Sequence, residues 1–292
     1  MGGELTVQPD LQHFYHEQTG TLSYVASDPE TSAAAIIDPV LGFSVVSGRT
    51  DAEAAEEIIA FIESNDLHLH WILETHVHAD HLSSAQLIKS RLGGKVAIGE
   101  GICGVQKHFG PVYNLQPPFA ADGHQFDHLF GDNEVFALGN IECRVMYTPG
   151  HTSDSVTYLI GKFAFIGDSL LMVDSGTARC DFPGGDAGLL YDSIQKLLAL
   201  PDDTVLCMCH DYPPQGRSLR YDVTVREQKD KNIHVGGETG KDEFIALHEA
   251  RDATLSLPAL MLPSIQVNIG AGHLPLAEDN KISYIKIPLN TL

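Results

Sequence analysis

The sequence predicts a layered α/β protein, and two observations predict it. Strand and helix patterns alternate in both halves of the 292-residue chain. Four of the strand patterns, ending near residues 75, 149, 167 and 209, are each followed at once by His or Asp. Side chains just beyond strand ends sit at the rim of a sheet, where separate loops can converge on one site. The length allows one large domain or about two of ordinary size.

The elements follow in order. Residues 21–27 and 32–38 are β-rich, and Asp28-Pro29-Glu30 between them is a hairpin signal. Thr50-x-x-Glu53 has the form of a capping box and opens an apolar-periodic helix through about Glu63. A strand over 70–74 leads to a helix over about 83–92, stopped by Gly93-Gly94. Residues 95–98 read as a strand. Residues 100–133 are rich in Gly, Pro, His and aromatics and read as an insertion with a short helix near 102–108. Strands are expected at 134–138, 141–148, 155–160, 163–167 and 204–209. Leu189, Leu190, Ile194, Leu197 and Leu198 make one stripe of a helix over 186–200. After His210 the pattern gives helices over roughly 221–231 and 241–254, a Pro-rich apolar segment, and a last short strand over 282–287.

Charge narrows the partners. Lys and Arg total 18 against 39 Asp and Glu, a net charge of −21. Such a surface repels phosphate backbones and anionic lipid, so neither nucleic acid nor membrane is an expected partner. The densest basic stretch, 217–251, is interleaved with acids and forms no basic patch. No apolar run reaches the roughly 18 residues a spanning helix needs. No basic n-region follows Met1, and the five cysteines are an odd number, so they read as reduced thiols of a cytoplasmic chain.

The chemistry concentrates after the first long helix, in Thr75-His76-Val77-His78-Ala79-Asp80-His81. Imidazole and carboxylate are the ligand types of zinc and non-haem iron, and imidazoles this crowded repel one another when protonated unless a metal holds them. The other strand ends add His151 in Thr-Pro-Gly-His-Thr, Asp168 in Phe-Ile-Gly-Asp, and His210 in Cys-His-Asp. The candidate set is His76, His78, Asp80, His81, His151, Asp168 and His210. The remaining histidines, among them His128, His234 and His248, read as ordinary surface or core residues.

This order of residues resembles the metallo-β-lactamase superfamily over roughly 20–215. The resemblance implies an αββα sandwich, with the metal site at one edge between two sheets. A domain of 1–215 would carry the insertion at about 100–133, and 216–292 would be a C-terminal extension packed on it. Gly176-Thr177-Ala178-Arg179-Cys180-Asp181-Phe182, His210-Asp211-Tyr212, Thr224 to Lys229, and Leu260 to Asn268 resemble the persulfide dioxygenase branch. Two features depart from that branch: the insertion is longer than expected, and Cys180 stands where threonine is expected.

The resemblance implies two alternative centres. In the dioxygenase arrangement one Fe(II) per chain takes His76, His151 and Asp168, leaving three positions for a persulfide sulfur and O2. His78, Asp80, His81 and His210 then support the ligands. Glutathione persulfide would be oxidised to sulfite. In a glyoxalase II-like arrangement one or two Zn(II) ions serve thioester or lactone hydrolysis. One takes His76, His78 and His151; the other takes Asp80, His81 and His210, with Asp168 bridging. Asp80, Tyr212 and Arg179 are the candidate catalytic residues. Arg179 suits either the carboxylate of a glutathione-like substrate or an internal ion pair. Tyr212 either faces the substrate or packs under the site, and Asp211 orients a ligand or loop. Cys180 is a redox-active thiol or a small buried hydrophobe. The tail offers a homodimer contact.

Overall fold

Period-two alternation in the first long strands divides the interior into two cores. The computed structural model describes residues 7–115, 117, 119–237 and 239–291. The chain enters through β1 (Asp10–His16), β2 (Thr21–Ser27) and β3 (Ala33–Ile37). Leu22, Tyr24 and Ala26 point with Ala33, Ala35 and Ile37 into one cluster, whereas Val25, Ala34 and Ile36 point into another. Each face therefore meets a different layer.

The first half continues with β4 (Val40–Ser44), β5 (Arg49–Asp51), α1 (Glu53–Ser64), β6 (His68–Leu73), β7 (Leu82–Ser83), α2 (Ala85–Leu92), β8 (Lys95–Gly99), α3 (Ile102–Val112) and β9 (His128–Phe130). One sheet has the order β1-β2-β3-β6-β8-β9, and β5-β4-β7 form a small ribbon beside it. Ile58, Ile59 and Ile62 of α1 and Ile88 of α2 cover the sheet's outer face.

The second half holds β10 (Val135–Leu138), β11 (Ile141–Tyr147), β12 (Val156–Ile160), β13 (Phe163–Phe165), α4 (Ala187–Leu198), β14 (Val205–Cys207) and β15 (Asp222–Thr224). Its strands pair in that order as a second sheet. Phe136, Val145, Tyr158 and Phe165 pack in the same cluster as the inner face of the first sheet, and the α4 stripe of Leu190, Ile194 and Leu197 joins it. The chain ends with α5 (Val225–Lys231), α6 (Lys241–Asp252) and α7 (Met261–Asn268). Among the described residues no helix is long and apolar enough to cross a membrane. The start of the chain, on which the reading of a chain without a leader rests, lies outside the described residues through position 6.

Several local expectations are corrected. The Thr50-x-x-Glu53 capping box does not form, because Thr50 pairs with Phe43 in the ribbon. Asp51 caps instead, accepting from Glu53 N at 2.9 Å. Residues 282–287 form no strand among the described residues. Gln266 of α7 takes the hydrogen bonds a neighbouring strand would have made, donating to Lys286 O at 3.0 Å and accepting from Lys286 N at 3.1 Å. The Pro-rich apolar segment is α7 itself, with Pro263 in the first turn, where a missing N–H costs nothing. The 221–231 helix starts only at Val225, capped by Thr224, which accepts from Glu227 N at 3.2 Å. The insertion is integral to the first layer: β9 pairs with β8, and Phe109, Tyr113, Phe126 and Phe130 are buried.

Candidate metal centre

The two sheets meet where their strand-end residues gather. Leu22 N donates to Cys209 O at 2.7 Å, and Thr21 bridges to His210. The loop after β6 is pinned at this seam from three directions. Thr75 donates from N to Asp38 Oδ1 at 2.7 Å and from Oγ1 to Asp38 Oδ2 at 2.8 Å. Val77 N donates to Asp154 Oδ2 at 2.9 Å. From α7, Asn268 Nδ2 donates to His78 O at 2.9 Å and His81 O at 2.8 Å, while its Oδ1 accepts from Ser83 N at 2.8 Å. Gly167, at φ +53°, lets the chain bearing Asp168 pass close by, since a Cβ there would lie 2.8 Å from Thr75 Oγ1.

These bonds fix which nitrogen each imidazole turns inward. The Thr75 hydroxyl donates to Asp38, so its oxygen, 3.0 Å from His76 Nδ1, accepts from that nitrogen. The lone pair of His76 is thereby placed on Nε2, 3.9 Å from Asp168 Oδ2. His151 donates from Nδ1 to Arg179 O at 2.5 Å, and its Nε2 lies 3.5 Å from the same Asp168 oxygen. His81 donates from Nδ1 to Leu82 O at 3.1 Å, which turns its Nε2 inward. Backbone and hydroxyl acceptors behind metal-binding imidazoles have this effect generally.

The buried Nε2 atoms of His76 and His81 and Asp168 Oδ1 have no hydrogen-bond partner. Buried polar atoms are ordinarily paired, and lone pairs facing one another repel, so this convergence fits a cation. His76, His151 and Asp168 form one compact ligand group. Ligands about 2.0–2.2 Å from an ion lie roughly 3–3.5 Å apart. The 3.5 and 3.9 Å separations here need only a small inward movement.

The other predicted residues divide. His210 Nε2 sits between Asp80 Oδ2 at 3.4 Å and Asp168 Oδ1 at 3.6 Å. Asp80 also accepts from Thr21 Oγ1 at 3.3 Å. Burial disfavours the Asp80 charge, but His210, His81 and His78 outweigh it and hold the carboxyl below the usual range. His78 turns away to the carboxylates of Asp38 at 3.0 Å and Glu74 at 3.7 Å. Burial opposes its protonation, but Asp38 and Glu74 raise its pKa to about 10. Burial itself raises that of Glu74 to about 8, and Ser83 Oγ donates to Glu74 Oε1 at 2.5 Å. The pKa of His76 is lowered by burial and by the neighbouring His78 and His151.

A cavity of about 430 Å³ opens beside the group, lined by Asp80, His151, Asp168, His210, Leu171, Ala178, Phe182 and Leu255 among others. Tyr212 stands at its mouth, 53% exposed, with its ring parallel to that of His210 at 5.5 Å. Arg179 lines the cavity, but the structure realises the internal ion pair of its two readings. Its Nε and Nη2 hold both oxygens of Asp181 at 2.6 and 2.7 Å, and Nη1 donates to Ser256 O at 2.6 Å. Asp211 is paired with Arg217 at 2.6 Å and accepts from Arg220 N at 2.8 Å, holding the loop after His210. Asp38, Glu74, Asp154 and Asn268 were not among the predicted residues. Asp38 and Glu74 carry the same signal as the others, a carboxylate directly after a strand.

The chain matches the metallo-beta-lactamase superfamily model over residues 20–210. It is 47% identical to a "Probable metallo-hydrolase" of Burkholderia pseudomallei, over 97% of this chain and 99% of that one. It is 49% identical to "Glyoxylase B2" of Dictyostelium discoideum, over 97% of each. The mitochondrial "Persulfide dioxygenase ETHE1" of Homo sapiens is 32% identical over 69% of this chain and 68% of that one. A crystal structure of ETHE1 from Myxococcus xanthus superposes with a TM-score of 0.72 at 29% identity, covering 90% of this chain and all of that one. With the family model matched over most of the chain and relatives near 50% identity over nearly all of it, the chain belongs to the metallo-β-lactamase superfamily.

Proposed function

We propose that this protein is a mononuclear non-haem iron dioxygenase that oxidises glutathione persulfide with O2 and water to sulfite and glutathione in the cytoplasm. The observation that carries the reading is the compact group of His76, His151 and Asp168, two imidazoles and one carboxylate with inward-facing lone pairs. The likeness to the persulfide dioxygenases supports it. Iron(II) held there would supply the redox chemistry dioxygen requires and leave three positions for reactants. The chain's own part is orientation. Thr75 and the Arg179 carbonyl lock the two imidazoles, and Phe182, Leu171 and Leu255 make an apolar wall against which the methylene next to the persulfide can lie. Asp80, bonded by Thr21, holds the His210 imidazole beside Asp168. The Tyr212 phenol stays protonated at neutral pH, through partial burial and the nearby Asp80 and Asp168, and can donate to a substrate at the mouth.

A zinc hydrolase of thioesters or lactones is the second reading, favoured by the approach of Asp80 and His210 to Asp168 and by the names of relatives near 50% identity. Against its dinuclear form, His78 Nε2 is taken up by Asp38 at 3.0 Å and Glu74 at 3.7 Å. An oxygen electrode separates the readings. The iron-loaded protein should consume O2 with glutathione persulfide and act little on S-lactoylglutathione, and zinc should silence the uptake. Rapid thioester hydrolysis by the zinc form, with no uptake by the iron form, would leave the hydrolase.

A further inference from the structure

A second set of buried donors lies under the loop that follows Asp168, at the position where Cys180 departs from the threonine of the persulfide dioxygenase branch. Cys180 Sγ is 3.4 Å from His248 Nδ1 and 3.5 Å from Asp252 Oδ2, and the latter two are 3.2 Å apart. All three residues are at least 94% buried. A tetrahedral ion about 2.3 Å from sulfur and about 2.0–2.1 Å from nitrogen and oxygen sets its ligand atoms roughly 3.3–3.6 Å apart. The three atoms already stand at nearly that spacing.

The hydrogen-bond chain behind them aims a lone pair of His248 at the carboxylate of Asp252. Thr177 N donates to His234 Nδ1 at 3.1 Å, which makes that nitrogen an acceptor, so the Thr177 hydroxyl at 2.9 Å donates to it as well. Thr177 Oγ1, 2.8 Å from His248 Nε2, then accepts from that nitrogen. A neutral His248 therefore carries its lone pair on Nδ1, facing a lone pair of Asp252 Oδ2. Without a metal only weak donors reach this pair, the Cys180 thiol at 3.4 and 3.5 Å and Arg251 Nη2 at 3.4 Å from His248 Nδ1; a second proton on His248 or a metal ion would hold it more strongly. The proton is opposed by burial and by Arg251, which both lower the pKa of His248. Arg251 fills the gap only weakly. Its Nε donates to the other oxygen of Asp252 at 2.8 Å, and its Nη2 stays 3.4 Å from His248 Nδ1. An adjoining cavity of about 430 Å³ reaches the three donors, and its other lining residues include Asp181, Asp186 and Glu249 but no Lys or Arg. It offers a cation an acidic approach and room for a water as fourth ligand.

We infer that Cys180, His248 and Asp252 form a second metal site, distinct from the histidine-rich centre, that takes a divalent cation of the zinc class. Thiolate, imidazole and carboxylate together suit that class and disfavour magnesium or calcium. Binding releases the Cys180 proton to solvent, so affinity falls as pH falls. Burial and Asp252 push the free thiol up to about 12, so it stays protonated without the ion. The site ties α6 to the loop beside the active cavity and does not depend on which reaction that cavity performs.

Cobalt(II) is the probe, added to the metal-free full-length Asp168→Ala protein so that the main centre is disabled. A thiolate-to-cobalt charge-transfer band should grow to one equivalent and be displaced by zinc. Cys209, which neighbours His78 and His210, is the other candidate sulfur. The band should persist in Cys209→Ser and vanish in Cys180→Ser. His248→Gln, which keeps the cysteine, should weaken cobalt more than about a hundredfold, since loss of mere supporting partners already costs about 10–100-fold. No band in the parent protein, a band that survives Cys180→Ser, or unchanged affinity in His248→Gln would overturn the inference.

Discussion

Asn268 is the residue through which the end of the chain reaches the metal-binding loop, and its replacement by Ala should be costly in two separable ways. Three hydrogen bonds of 2.8–2.9 Å are lost, and the carbonyls of His78 and His81 and the N–H of Ser83 are left buried without partners. At about 1 kcal/mol per bond the loss is about 3 kcal/mol, and more if water cannot reach the orphaned groups. An unfolding entropy of about 2.1 cal/mol/K per residue makes that a fall in Tm of about 5 °C for a chain of this size. The loop also carries His76, His78 and His81, so metal affinity should drop by about 10–100-fold. Asn268→Asp should fare no better, because it sets an acceptor against two carbonyls. Calorimetry and chelator competition on purified protein measure both effects. A Tm within about 1 °C of wild type together with unchanged metal affinity would refute the claim that Asn268 holds the loop.

Elemental analysis of variants tests the ligand assignment. His76→Ala, His151→Ala and Asp168→Ala should each lose the metal, whereas His81→Ala and His210→Ala should keep most of it; loss of half the metal in the latter pair would indicate two ions. Stability should also report on His234, whose pKa is lowered from 6.5 to about 4 by burial and by Arg251. Between those values the unfolded chain binds a proton that the folded protein does not, so stability falls as pH drops from about 6.5 toward 4. Urea midpoints across that window should fall less steeply in His234→Gln, and an identical slope would refute the assignment.

The layers were legible because strands and helices differ in period, and the metal group because its ligands follow strand ends. Other features depend on partners far along the chain. The capping box at Thr50 is a local signal overridden by pairing with Phe43. Ile282 to Ile287 has strand composition, yet the Lys286 backbone bonds the Gln266 side chain of a helix and Ile282 bonds Asn280 and Glu278, with no neighbouring strand among the described residues. The buried pairing of His78 with Asp38 joins residues 40 apart in sequence, and spacing within the histidine motif gives no hint that its second imidazole turns away. Arg179 shows the converse. Its planar fork promised bidentate pairing with a carboxylate, and a carboxylate two residues away meets it.

The seam between the sheets has a consequence for how the protein is made. His76, His78, Asp80 and His81 come from the first half of the chain, His151, Asp168 and His210 from the second, and the clamp on the first loop comes from Asn268. A ribosome-bound chain that has emerged only through residue 200 can pair all six strands of the first sheet, but it lacks His210 and the α7 clamp. The pocket is therefore assembled near the end of synthesis, and a truncation before residue 268 leaves the early histidines on a loop held at Thr75 and Val77 but free of its clamp at His78 and His81.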